Sequence, residues 1–73
     1  MSIFETIANV LEAETGERVT PETKLATLVT DSLEIASMIL ELEDALSIEI
    51  PDEDICRLFT VRDVVTYAMG ARA

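Results

Sequence analysis

The sequence predicts an all-α domain of four helices, three longer and one short, with a long connection after the first. Three observations carry this. Apolar residues recur at steps of three and four in three separate segments, as on helices with one face turned to a core. Each of those segments opens on Ser, Asp or Thr with an acid three residues later, the capping-box form. No Pro or Gly interrupts residues 31–50, the longest of the three.

The first helix is read from Ile3, Phe4, Ile7, Val10 and Leu11, which share one face. Ser2 with Glu5 starts it near residue 2, and Gly16 ends it as a C′ residue. Residues 16–30 form the long connection. Thr20-Pro21-Glu22 reads as a turn or a short helical start, because Pro cannot continue a helix arriving from before it. Leu25 and Leu28 are expected to pin the connection onto the core. The second helix should begin at Asp31 or Ser32, with Asp31 and Glu34 as its capping pair. It should stop before Ile50, which precedes Pro51. Two apolar stripes run along it. Ile35, Met38, Ile39, Leu42 and Leu46 suit a core face. Leu33, Ala36 and Leu40 follow an adjacent face, wider than burial needs, so part of it should stay exposed as a contact surface. Asp52 to Leu58 makes the short third helix, with acids in its first turn to match the dipole. Thr60 with Asp63 opens the last helix. Val61, Val64, Val65 and Ala68 define it, it ends near Gly70, and residues 71–73 are expected to fray.

Composition bounds the function. Seventy-three residues make one small domain spanning 1–73. Apolar residues are 49% of the chain, too many for a disordered acidic tail. Fifteen acids, five bases and no His give a formal charge of −10. A basic nucleic-acid footprint is missing. One Cys and no His support no zinc cluster, no Ser-His or Cys-His nucleophile and no intramolecular disulfide. No apolar run approaches the ~18 residues of a membrane span, and no basic-then-apolar leader follows Met1. The expectation is a soluble, monomeric, cytoplasmic domain without catalysis of its own. The charge is also gathered in one place. Residues 31–54 hold nine acids and no base, while the remainder holds six acids and five bases. Such a concentration suits basic partner proteins.

Ser32 is the informative residue. It follows the long connection and starts the most apolar helix, beside Asp31 and Glu34. Free backbone N–H groups and the positive dipole end would stabilise a phosphodiester on its hydroxyl there. The plain alternative is that Ser32 or Asp31 caps the helix and nothing more.

Asp31-Ser32-Leu33-Glu34 resembles the Asp-Ser-Leu-acid signature of acyl carrier proteins. Leu42-Glu43-Asp44, Ile48-Glu49-Ile50-Pro51-Asp52 and Thr60-Val61-Arg62-Asp63 resemble later stretches of that family at the expected distances. The likeness covers nearly the whole chain and is strongest over residues 28–65. It implies a small four-helix bundle with a long first loop. It implies that Ser32 carries 4′-phosphopantetheine, transferred from coenzyme A by a phosphopantetheinyl transferase. The arm's thiol would hold acyl groups as thioesters for enzymes of fatty-acid, polyketide or related lipid biosynthesis. An aminoacyl or peptidyl carrier, or an acidic helical module without an arm, stays open.

The same resemblance implies residue roles. Asp31 would help the transferase hold a metal and the serine. Leu33, Ala36 and Leu40 would offer apolar contacts to partner enzymes, with Glu34, Glu41, Glu43, Asp44 and Asp52 as an acidic rim meeting basic docking patches. Met38, Ile39, Leu42, Leu46, Ile50 and Val64 match core positions that can part for an acyl chain, or else are plain core. Four departures set the chain apart from many relatives: Val29 where Gly is common, Ser37 where an acid is frequent, a large Ile35, and only Arg18 and Lys24 as bases in the first loop. They leave the phosphopantetheine reading intact and point away from the housekeeping fatty-acid carrier. Cys56 is read as a small, partly buried residue of the third helix, with only Arg57 nearby to activate it. Asp52-Glu53-Asp54 is read as a solvated helix start without calcium-loop spacing, open at most to loose divalent cations.

Overall fold

The computed structural model describes residues 2–72. Five helices follow in order: α1 (Ile3–Thr15), α2 (Leu25–Leu28), α3 (Ser32–Leu46), α4 (Asp52–Ile55) and α5 (Val61–Arg72). Three are long and two are single turns, and no strand occurs among the described residues beyond an isolated bridge between Lys24 and Thr60. The all-α bundle is therefore as expected. Three boundaries differ. The long connection contains a helical turn, α2, because Leu25 and Leu28 both pack on the core and the chain between them coils to bring them there. The short α4 stops at Ile55 rather than Leu58, and residues 56–58 continue as turns. The last helix runs through Gly70 to Arg72, since one exposed Gly costs a helix only about 1 kcal/mol. Of the residues expected to fray, 71 and 72 are helical and 73 lies outside the described residues.

Local chemistry sets the long helices. Ser2 Oγ accepts from the Glu5 N–H at 3.1 Å, and the Ser2 N–H donates back to Glu5 at 3.3 Å, a complete capping box. Gly16 ends α1 at φ 74°, a left-handed position that suits a residue without Cβ. Ser47 ends α3 in the same conformation, at φ 56°, with its N–H given to Glu43 O. A serine there is strained relative to glycine. Ser47→Gly is expected to raise stability by about 0.5–1 kcal/mol in urea unfolding. An unchanged midpoint would mean the serine side chain offsets the strain.

The first loop is tied to the start of α5. Val61 N–H donates to Thr23 O at 3.0 Å, Arg62 N–H to Pro21 O at 2.8 Å, and Leu25 N–H to Phe59 O at 2.9 Å. Donors that a helix start leaves unpaired are thus satisfied by loop carbonyls some forty residues away. An exposed Arg62–Glu22 ion pair lies across the same seam. Thr60 and Asp63 form the expected reciprocal cap, and Asp63 also accepts from the Phe59 N–H at 2.9 Å.

α1 packs on both α3 and α5. Ile7, Ala8 and Leu11 meet Met38, Ile39, Leu42 and Leu46 from α3 and Val61, Val64 and Ala68 from α5. Val19, Val29 and Ile50 close the core from the connections, and no polar residue is buried among the described residues. Phe4 and Tyr67 reach it only in part, so burial rests on aliphatic side chains.

Candidate functional site

At the start of α3 the alternatives for Ser32 and Asp31 separate. The Asp31 carboxylate accepts from the Leu33 N–H at 2.8 Å, so Asp31 is the N-cap. The bond reaches the second helical residue, not the third, and Glu34 does not return it. The capping box expected here is thus only half formed. Ser32 is left as the first helical residue. It is exposed, and its hydroxyl makes no hydrogen bond among the described residues. The N–H groups of Ser32 and Glu34 are likewise unpartnered among the described residues, at the positive end of a fifteen-residue helix. An exposed hydroxyl beside unpaired N–H donors fits a phosphodiester substituent.

A groove runs from Ser32 between α3 and α4. Ile35, Ala36, Ile39, Leu40, Glu43, Ile50, Asp52, Ile55 and Cys56 line it, and its volume is about 590 Å³. A second, more apolar cleft of about 410 Å³ shares Ile35, Ile39 and Ile55 with it and is otherwise walled by Leu25, Ala26, Val29, Thr30, Met38 and Leu58. Leu33, outside the groove, is 80% exposed, and Leu40, on its rim, 63%. With Ala36 they make an apolar stripe on the outer face of α3, while Met38, Ile39, Leu42 and Leu46 of the same helix are buried.

The acids around this stripe do different things. Asp44 and Glu34 are exposed. Glu43 is half-buried and accepts from the Ile50 N–H at 2.7 Å, anchoring the α3–α4 loop. Glu41 lies toward α1. A hydrogen bond with Glu14 raises its carboxyl above the ordinary 4.5, helped by partial dehydration and the nearby charges of Glu14 and Asp44. Asp63 is shifted the other way. The Phe59 and Thr60 N–H groups hold it below the ordinary 3.8. The two signs define a pH profile. A raised acid binds protons better folded than unfolded, so stability climbs as pH falls from 7 toward 4.5 through Glu41. A lowered acid contributes stability above 3.8, and that contribution is lost as pH falls further through Asp63. The melting temperature in dilute solution should rise on mild acidification and fall at about pH 3. A flat or steadily falling profile below neutrality would contradict this.

Residues 2–68 match the family model described as the phosphopantetheine attachment site. The chain belongs to the acyl carrier protein family. It is 38% identical over 74 residues to an acyl carrier protein of Syntrophobacter fumaroxidans, across 100% of this chain and 90% of that one. Membership brings a carrier role and a 4′-phosphopantetheine cofactor. Among the described residues no helix of this chain is long and apolar enough to cross a membrane, and no acid or Cys cluster could hold a metal ion.

The six expected core positions fall into two groups. Met38, Ile39 and Ile50 border the two clefts. Leu42, Leu46 and Val64 border neither and fill the interior. The cleft walls also contain residues that sequence reasoning had not assigned there: Ala26, Val29, Ile55 and Leu58. Leu25 does more than pin the loop, and Val29 is a wall residue as well as a departure from relatives. Their apolar character in a loop was the available signal. Cys56 needs correction, because it is exposed on the groove rim rather than partly buried. Its thiol donates to Glu53 O at 3.1 Å, and α4 ends before bringing it to the core.

Proposed function

We propose that Ser32 is the attachment point of the 4′-phosphopantetheine arm, and that the single domain 1–73 carries acyl intermediates as thioesters between partner enzymes of fatty-acid, polyketide or related lipid biosynthesis. The supporting observation is the division of labour at the start of α3. Asp31 takes the cap, and the Ser32 hydroxyl stays exposed and unbonded. The arm supplies a thiol for thioester formation. This chain's residues would present it: the unpartnered Ser32 and Glu34 N–H groups would meet the phosphodiester charge, and Ile35, Ala36, Ile39 and Leu40 would offer an apolar path beside it. Catalysis is assigned to the partners, since His is missing and the one Cys lacks an activating base.

The partner surface we assign is Leu33, Ala36 and Leu40 with Glu34, Asp44 and Asp52 around them, all exposed. Glu41 is exposed at its edge, and Glu43 belongs there only in part, because the Ile50 N–H engages it. Basic patches on a phosphopantetheinyl transferase and on acyl-loading enzymes complement this rim, and such charges act mainly on encounter rate. A monomer in the cytoplasm fits the strong net charge. The test is incubation of the purified chain with coenzyme A and a broad-specificity transferase, read by intact mass and peptide mapping. Addition of phosphopantetheine at Ser32 is expected; no addition, or addition elsewhere, would refute the assignment.

A further inference from the structure

The two clefts share a wall of three side chains, Ile35 and Ile39 from α3 and Ile55 from α4, so Ile55 is what α4 contributes to the partition. If α4 moves outward, the groove beside Ser32 and the apolar cleft become one space. Little holds it in place. None of its four residues is fully buried, and only Ile55, with Leu58 beyond it, packs on the core. Its backbone bonds are all local: Asp54 and Ile55 N–H to Pro51 O, Arg57 N–H to Asp54 O, Leu58 N–H to Ile55 O. Among the described residues one hydrogen bond joins residues 52–58 to another helix. Tyr67 of α5 points its hydroxyl at the Asp54 carboxylate, 2.8 Å away. The same oxygen is 3.3 Å from Glu49 O in the α3–α4 loop. A phenol has one proton to give, and the shorter contact to a charged acceptor is the stronger one.

We propose that the Tyr67–Asp54 hydrogen bond is a latch that holds α4 shut between the two clefts, making Tyr67 a positioning residue for whatever occupies them. The ring of Tyr67 is half-buried against the core, so the hydroxyl is presented from a fixed base. The nearby acids act on the same group: Asp54, Glu43 and Glu53 each disfavour loss of the phenol proton, and the Asp54 hydrogen bond does so most. The hydroxyl therefore stays a donor across the physiological range. Opening is then a matter of breaking one bond and lifting Ile55 and Leu58. A short, weakly packed element with a single cross-link is the sort that opens locally, well below the global unfolding cost.

The test uses amide hydrogen exchange on the unmodified chain, so its outcome is independent of whether Ser32 carries the arm. Tyr67→Phe keeps the ring and removes only the hydroxyl. The amides of Ile55, Arg57 and Leu58 should exchange about fivefold to tenfold faster, with the core of α1 unchanged. Asp54→Ala should do the same or somewhat more, and the double variant no more than Asp54→Ala alone. Asp54→Asn retains an oxygen acceptor and should restore part of the protection. Because Asp54 also favours the start of α4 through its charge, the double variant separates the two effects. Unchanged exchange in Tyr67→Phe would overturn the latch and leave ring packing as what holds α4. So would additive effects in the double variant. Loss of protection throughout the chain would overturn it too, since that is global destabilisation rather than local opening.

Discussion

Ser32→Ala is expected to abolish phosphopantetheine addition while leaving the fold within about 0.5 kcal/mol of the parent. The two halves of that result rest on different observations. Addition is lost because the oxygen that would form the phosphodiester is gone and the adjacent residues offer none in its place. Asp31 and Glu34 carry carboxylates, and the nearest other hydroxyls, Thr30 and Ser37, stand outside the first turn. Stability is kept because the Ser32 hydroxyl makes no hydrogen bond among the described residues and is exposed. Alanine is also the better helix former. Asp31→Ala is the contrasting control. It removes the bond to the Leu33 N–H and should cost about 1 kcal/mol in urea unfolding, the usual worth of an N-cap. If Ser32→Ala lost as much stability as Asp31→Ala, Ser32 would be part of the cap. If Ser32→Ala still accepted the arm, the attachment point would lie elsewhere.

Leu42→Ala should destabilise the fold by about 3 kcal/mol, against under about 0.5 kcal/mol for Leu40→Ala two residues earlier. Leu42 has no exposed surface and faces α1 and α5 across the centre of the core. Truncating it removes buried apolar area and leaves a cavity that stiff helices cannot close. A domain of this length has roughly 4–11 kcal/mol in total. The loss is therefore a large part of what there is, and it corresponds to a fall of about 12–24 °C in melting temperature. Leu40 is 63% exposed and loses little on truncation. Its effect should appear instead as weaker docking of partner enzymes. Circular dichroism melts of the two variants decide the matter. Equal losses would mean that the outer stripe of α3 is packed in solution.

The ends of the helices were legible in the sequence because their causes are local. Ser2 with Glu5, Thr60 with Asp63, and Asp31 with the Leu33 N–H are contacts across two or three residues, and their donors and acceptors can be read from the chain. Gly16 and Pro51 act through their own backbone and need no partner. The candidate site was legible for the same reason, since a serine placed at a helix start needs only the helix to meet unpaired N–H groups. The end of α5 was misjudged because a single Gly is a weak stop signal when nothing after it caps the helix.

Composition and local pattern by themselves determined that this chain is helical, where its long helices start, that its acids gather over residues 31–54, and that Ser32 stands at their head. The two stripes on α3 already put Leu42 toward the core and Leu40 on the outer face; only the tertiary structure decided how deep each lies, Leu42 without exposed surface and Leu40 63% exposed, because the position of α1 and α5 sets the burial. It alone turned Glu43 toward Ile50, and so set one acid of a similar run apart as an anchor of the α3–α4 loop. It also joined the first loop to α5, set Tyr67 against Asp54 and left Cys56 in solvent. The physical reason is common to these cases. The partners lie on different elements, brought together by burial of an aliphatic core that fixes positions without leaving a local mark in the sequence.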